Sequence, residues 1–113
     1  MRSWGYPNEY SQVILNILNN AKDAILEKET KNAKVQLMLD QKDGRTILTI
    51  WDNAGSIPNN IIDKVFDPYF TTKQHQKGTG LGLYMAKTII ENNMDGSIQV
   101  KNIDGGVKFI IEV

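Results

Sequence analysis

Three glycines at two-residue spacing, Gly78, Gly80 and Gly82, stand in GTGLGLYMAKTIIENN at the entry to an amphipathic run. A helix N-terminus leaves four N–H groups without intrahelical partners and carries roughly half a positive charge, so bare backbone there can hold a phosphate. The same glycines suit a tight loop-to-helix turn equally well. Neither a GxxxxGKS/T loop nor GxGxxG directly after a strand occurs, which removes the two familiar nucleotide loops. A second group lies upstream. Asn16, Asn20 and Asp23 fall at i, i+4 and i+7, which at 100° per residue is one helix face. Taken alone, the trio is best read as a plain solvated face, although two asparagines in mid-helix lower propensity and such a face would more often carry Glu and Lys. An amide oxygen is a suitable hard ligand for Mg²⁺, which keeps several waters and takes most other ligands from substrate phosphates. The third group is WDNAGSIP. Asp52 ends an apolar run, and small residues follow that would let a flat ring lie against backbone. A carboxylate there can accept from an exocyclic amine such as that of adenine, although an Asp in a strand-ending turn is common without any ligand.

The elements that must position these groups follow from periodicity. Tyr10, Val13, Ile14, Ile17, Ala21 and Ile25 recur at three- and four-residue steps, predicting a helix from residue 8 or 9 to about 28. AKVQLMLD and TILTIWD alternate around Asp43-Gly44, predicting an antiparallel hairpin in which Val35, Leu37 and Leu39 share one face. Pro58 opens a short helical segment to about residue 64. Residues 67–78 show no usable period and read as a polar loop. A helix is expected over about residues 81–93, and SIQVK and VKFIIEV read as strands around Asp104-Gly105-Gly106. This order predicts one α/β domain over residues 1–113, an α+β two-layer sandwich whose mixed, largely antiparallel sheet carries helices on one face.

Composition narrows the partners. Lys plus Arg and Asp plus Glu are 13 each, so no global field recommends nucleic acid or an anionic membrane. The absence of cysteine excludes disulfides and thiolate metal sites. No apolar run approaches the ~20 residues of a membrane span, and the first ten residues lack a signal-peptide core, which fits a cytoplasmic setting.

Four motifs in one order, NILNNA, DNAGSIP, FDPYFTTK and GTGLGL, resemble the catalytic and ATP-binding domain of sensor histidine kinases, within the gyrase, chaperone and kinase ATP-binding superfamily. The resemblance runs from about residue 6 to 113 and implies the Bergerat ATP-binding fold with ATP and Mg²⁺. It makes Asn20 the Mg²⁺ ligand, with Asn16 and Asp23 beside it and Asn16 near the phosphates. Asp52 would read adenine, and Asn53, Gly55 and Ile57 belong to the adenine-side loop. Phe66 and Phe70 match the aromatic motif at the start of a lid that contains Thr72, Lys73 and Lys77. There a lysine, Lys73 foremost, can neutralise charge on a transferring γ-phosphoryl group. Gly78, Thr79, Gly80, Leu81 and Gly82 would cradle phosphate.

Related ATPases carry a Glu where this chain has Asn16, and an amide cannot act as a base, so the resemblance favours phosphoryl transfer to a protein over hydrolysis. The acceptor would be a His on a separate dimerisation domain, with a response regulator downstream. His75, the sole histidine, falls in the lid. A noncatalytic nucleotide-binding module and a hydrolysing ATPase are the alternatives. Departures from the family pattern are Ala54 and Ser56, where a second glycine pair is usual, and Asp95 before Gly96, where Gly is frequent. Family members also begin with further strands, so the sheet is expected to lack its first strands, and its open edge to invite pairing with another copy.

Overall fold

The computed structural model describes residues 7–68 and 81–113. Helix α1 (Pro7–Glu27) begins at a proline, whose missing N–H a first turn does not use. It buries Val13, Ile17 and Ala21 to 2% exposure or less, along the stripe that the three- and four-residue spacing draws. Strands β1 (Val35–Lys42) and β2 (Arg45–Asp52) form an antiparallel hairpin closed at Lys42 and Arg45. Asp43 and Gly44 between them both take positive φ, the condition for a turn that matches strand twist. A short helix α2 (Asn59–Ile62) follows Pro58, and ends earlier than the sequence suggests.

Helix α3 (Gly82–Thr88) continues as a π-helical turn, Ile89–Asn93. The wider coil buries Ile89, Ile90 and Met94 against the sheet. Asp95 then adopts φ +53, the left-handed conformation that a glycine would take without strain. Strands β3 (Ser97–Ile103) and β4 (Gly106–Glu112) form the second hairpin. The sheet order is β1-β2-β4-β3, and every pair among the described strands is antiparallel, so the parallel component of a mixed sheet is not found there.

Alternation assigns the two faces. Leu48, Ile50 and Asp52 of β2, Val107, Phe109 and Ile111 of β4, and Ile98 of β3 are buried. Together with α1, α3 and the π turn they form one core under the helices. Strand β1 departs from expectation. Its helix-side residues Val35, Leu37 and Leu39 are 38%, 50% and 71% exposed, because the helical layer packs over the strands beyond it. The far side of β1 pairs with no described strand, which leaves the edge open.

Candidate functional site

The site is built where α1 crosses the end of β2 and the start of α3. Asn16 donates through Nδ2 to the carbonyl of Gly82 at 3.0 Å, and its Oδ1 accepts from Gln12 Nε2 at 2.7 Å. A Cβ on Gly82 would lie 4.0 Å from the Asn16 side chain, so α1 and the first residue of α3 are close neighbours. Both polar atoms of Asn16 are thereby occupied, and the side chain ties two helices together. One turn on, Asn20 is half-buried, and among the described residues no partner holds its amide. Asp23 is half-buried on the same face.

Asp52 is the buried acid of the described core, 4% exposed at the end of β2. Burial pushes its carboxyl above the usual range. The Ala54 N–H, donating to Oδ1 at 3.0 Å, and the Lys28 ammonium pull the other way. A single hydrogen bond leaves the carboxylate with acceptor capacity for a donor from outside. Behind it the chain turns through Gly55 at φ +93, whose N–H donates to the Gly105 carbonyl at 3.1 Å. Lys28 extends from the end of α1 across this glycine, and its Nζ lies 3.1 Å from where a Gly55 Cβ would stand.

Two asparagines hold this loop in place. Asn53, expected at the adenine side, turns its amide to the chain between α1 and β1. Its Oδ1 accepts from Lys34 N at 2.8 Å and its Nδ2 donates to the Asn32 carbonyl at 3.0 Å. Asn102 was not singled out by the sequence. Its Oδ1 accepts from Ile57 N at 2.8 Å and its Nδ2 donates to the Ile57 carbonyl at 2.7 Å, a two-point clasp on the loop. The signal was present, since alternation puts Asn102 on the inward row of β3 after Ile98 and Val100. Ile57 packs against the core, as does Phe66, which meets Phe109 edge-on at 6.1 Å between ring centroids. The Lys87 ammonium stands 5.4 Å over the Phe66 ring. The structure joins Asn16 to Gly82, with Asn20 and Asp23 further along α1, and sets Asp52 and Gly55 in one turn with Ile57 held just after it. Leu81 leads into α3. Phe70, Thr72, Lys73, His75, Lys77, Gly78, Thr79 and Gly80 lie outside the described residues.

For Mg²⁺ the test is the donor chemistry. Among the described residues no group of three His, Cys, Asp or Glu could hold a metal by itself. The unengaged, half-buried amide of Asn20 suits an ion that takes most of its ligands from phosphate and water.

The described residues form an antiparallel sheet under one helical layer, with an Asn-bearing helix, a buried strand-end acid and a glycine turn. The chain belongs to the histidine kinase-, DNA gyrase B- and HSP90-like ATPase family, which matches residues 5–113. It is 33% identical over 112 residues to the two-component sensor PprA of Pseudomonas aeruginosa, covering 96% of this chain and 12% of that protein. It is 38% identical over 106 residues to the sensor histidine kinase ZraS of Salmonella typhimurium, covering 93% of this chain and 22% of that protein. The chain thus spans less than a quarter of these relatives. Among solved structures, the catalytic domain of histidine kinase ThkA superposes with a TM-score of 0.79 at 33% identity, over 94% of this chain and 66% of that one. The mycobacterial sensor histidine kinase MprB superposes at 0.80 with 25% identity, over 94% of this chain and 72% of that one. Among the described residues no helix is long and apolar enough to cross a membrane.

Proposed function

We propose that this chain is the ATP-binding catalytic domain of a cytoplasmic portion of a two-component sensor histidine kinase. The observation that carries the reading is the buried, singly hydrogen-bonded Asp52 carboxylate beside the Gly55 turn, in a chain whose family is an ATPase family. An ionised acceptor in a desolvated position favours a base that presents an amine and penalises one that presents a carbonyl. Asn20 would hold Mg²⁺, which would supply charge neutralisation for the phosphates. Asn16 spans α1 and α3 and provides no base, since an amide cannot take a proton from water. This fits transfer of the γ-phosphoryl group to an imidazole nitrogen of a His on a separate dimerisation domain, with ADP leaving and a response regulator next in line. Lys73 and Lys77 are assigned to the transferring group, and Gly78, Thr79, Gly80 and Gly82 to the phosphates, through the family resemblance. The open β1 edge supports pairing with another strand, a second copy among the candidates.

Calorimetric titration with a nonhydrolysable ATP analogue tests the site ahead of the reaction. Saturable binding in Mg²⁺ is expected, weakened about tenfold in Asn20→Ala, a difference that disappears when Mg²⁺ is withheld. Absent binding by a folded chain would sink the reading.

A further inference from the structure

The sheet face turned away from the helices carries a groove of about 340 Å³. Its floor is apolar: Trp51, Met38 at 65% exposure and Ile103 at 38%. The Trp51 indole N–H donates to the Ile103 carbonyl at 3.0 Å, which fixes the ring and leaves no indole donor for a ligand.

The rim is cationic on both sides. Lys34 stands at one margin and Lys108 at the other. Register places Gln36, Trp51, Lys108 and Lys101 side by side across all four strands. Val107 and Phe109 are buried toward the helices, so Lys108 between them faces out, and Lys101 directly opposite faces out with it. Like charges on directly opposed residues destabilise a strand pair. Neither lysine forms an ion pair among the described residues. The one acid in the lining is Asp104, while Asp40 and Glu112 lie two outward rows further along the sheet. The chain as a whole is neutral, so this concentration of positive charge around exposed apolar area is local.

We propose that this outer-face groove docks an acidic segment of a partner protein, one that places an apolar side chain on Trp51 and carboxylates against Lys34, Lys101 and Lys108. A nucleic acid fits less well. Phosphate tracking needs an unbroken basic path, and here Asp40 and Glu112 separate Lys34, Lys101 and Lys108 from Lys42 and Arg45 at the other end of the face, where Arg45 is paired with Glu112 at 3.6 Å. The inference stands apart from the nucleotide reading, because the groove and the candidate nucleotide site occupy opposite faces of the sheet.

Replacing Trp4 by Phe leaves Trp51 as the sole indole, so its emission reports the groove directly. The probe is a decapeptide with Leu at two central positions in a Glu background. A saturable change in Trp51 emission with a Kd below about 1 mM is expected. The double variant Lys101→Glu, Lys108→Glu should weaken binding at least about tenfold and flatten its salt dependence. Met38→Glu, at a position 65% exposed, should weaken it as well, so the test survives if the double variant does not fold. No saturation up to about 1 mM overturns the proposal. So does equal binding of the matching Lys–Leu peptide, equal binding of an all-Glu peptide, or tighter binding of a ten-nucleotide thymidine oligomer.

Discussion

Alanine at Gly106 isolates how tightly the second hairpin is held against the site. A Cβ there would lie 1.7 Å from the Asp52 carbonyl oxygen, 2.8 Å from its carbonyl carbon and 3.0 Å from Trp51 Nε1. Close C···O contacts lie at about 3.3 Å, so β2 and β4 must part by about 1.6 Å where Asp52 faces Val107. Gly106 does not use the left-handed region, so alanine adds no backbone strain and the effect is purely steric. Overpacking of about 1–3 kcal/mol, with about 1 kcal/mol for an opened ladder hydrogen bond, gives about 2–4 kcal/mol. In a domain of this size that lowers Tm on the order of 15 °C. The neighbouring glycine is the control. Gly105 sits at φ +73 with nothing within 4 Å of the place a Cβ would occupy, so Gly105→Ala costs about 1 kcal/mol of left-handed strain and no clash. Urea denaturation followed by far-UV circular dichroism compares the two, and nucleotide titration of each folded variant follows. Gly106→Ala should also lose nucleotide affinity, because the displaced carbonyl belongs to Asp52 itself. Equal destabilisation by the two substitutions, or an unaltered nucleotide affinity in Gly106→Ala, would refute the argument.

Asp52→Asn tests the electrostatics. Because burial raises the folded-state pKa above the ordinary 3.8, the folded chain binds the proton more tightly than the unfolded one, and the Asp52 contribution to stability falls as pH rises from 3.8 through the folded value. Relative to the native chain, Asp52→Asn should therefore gain stability between acid and neutral pH, and a pH-independent difference in urea midpoints would contradict this. Asn102→Ala removes both bonds of the Ile57 clasp and should cost about 1–3 kcal/mol. It should also raise amide exchange at Ile57, and unchanged protection there would show that the clasp does not order the loop.

The hairpins were legible because their causes are local. Asp-Gly pairs between alternating runs specify turns with positive φ, and both are found, at Asp43-Gly44 and Asp104-Gly105. The stripe on α1 was equally local. Burial of β1 was not, since Val35, Leu37 and Leu39 alternate as a core strand would, yet cover depends on where the helices come to rest. The same limit explains Asn53 and Asn102. A side-chain amide gives no sign in sequence of which backbone it will clasp, and here the partners lie 21 and 45 residues away. Asp52 is half legible: its place at a strand end follows from alternation, whereas its raised pKa and the Lys28 side chain over Gly55 depend on the folded arrangement. The π turn had no local signal, as Ile89–Asn93 reads as ordinary helix.

The tip of the second hairpin is gripped from both sides. Its Ile103 carbonyl accepts from Trp51 on the outer face, and its Gly105 carbonyl accepts from Gly55 on the loop behind Asp52. Hairpin tips are ordinarily where chains tolerate added residues. One extra residue here would slide these two carbonyls out of step and release two distant segments together. The Asp43-Gly44 tip differs, because among the described residues neither of its turn residues shares a backbone hydrogen bond with a distant segment. Length variation among relatives should therefore gather at the first tip, while the second keeps its count.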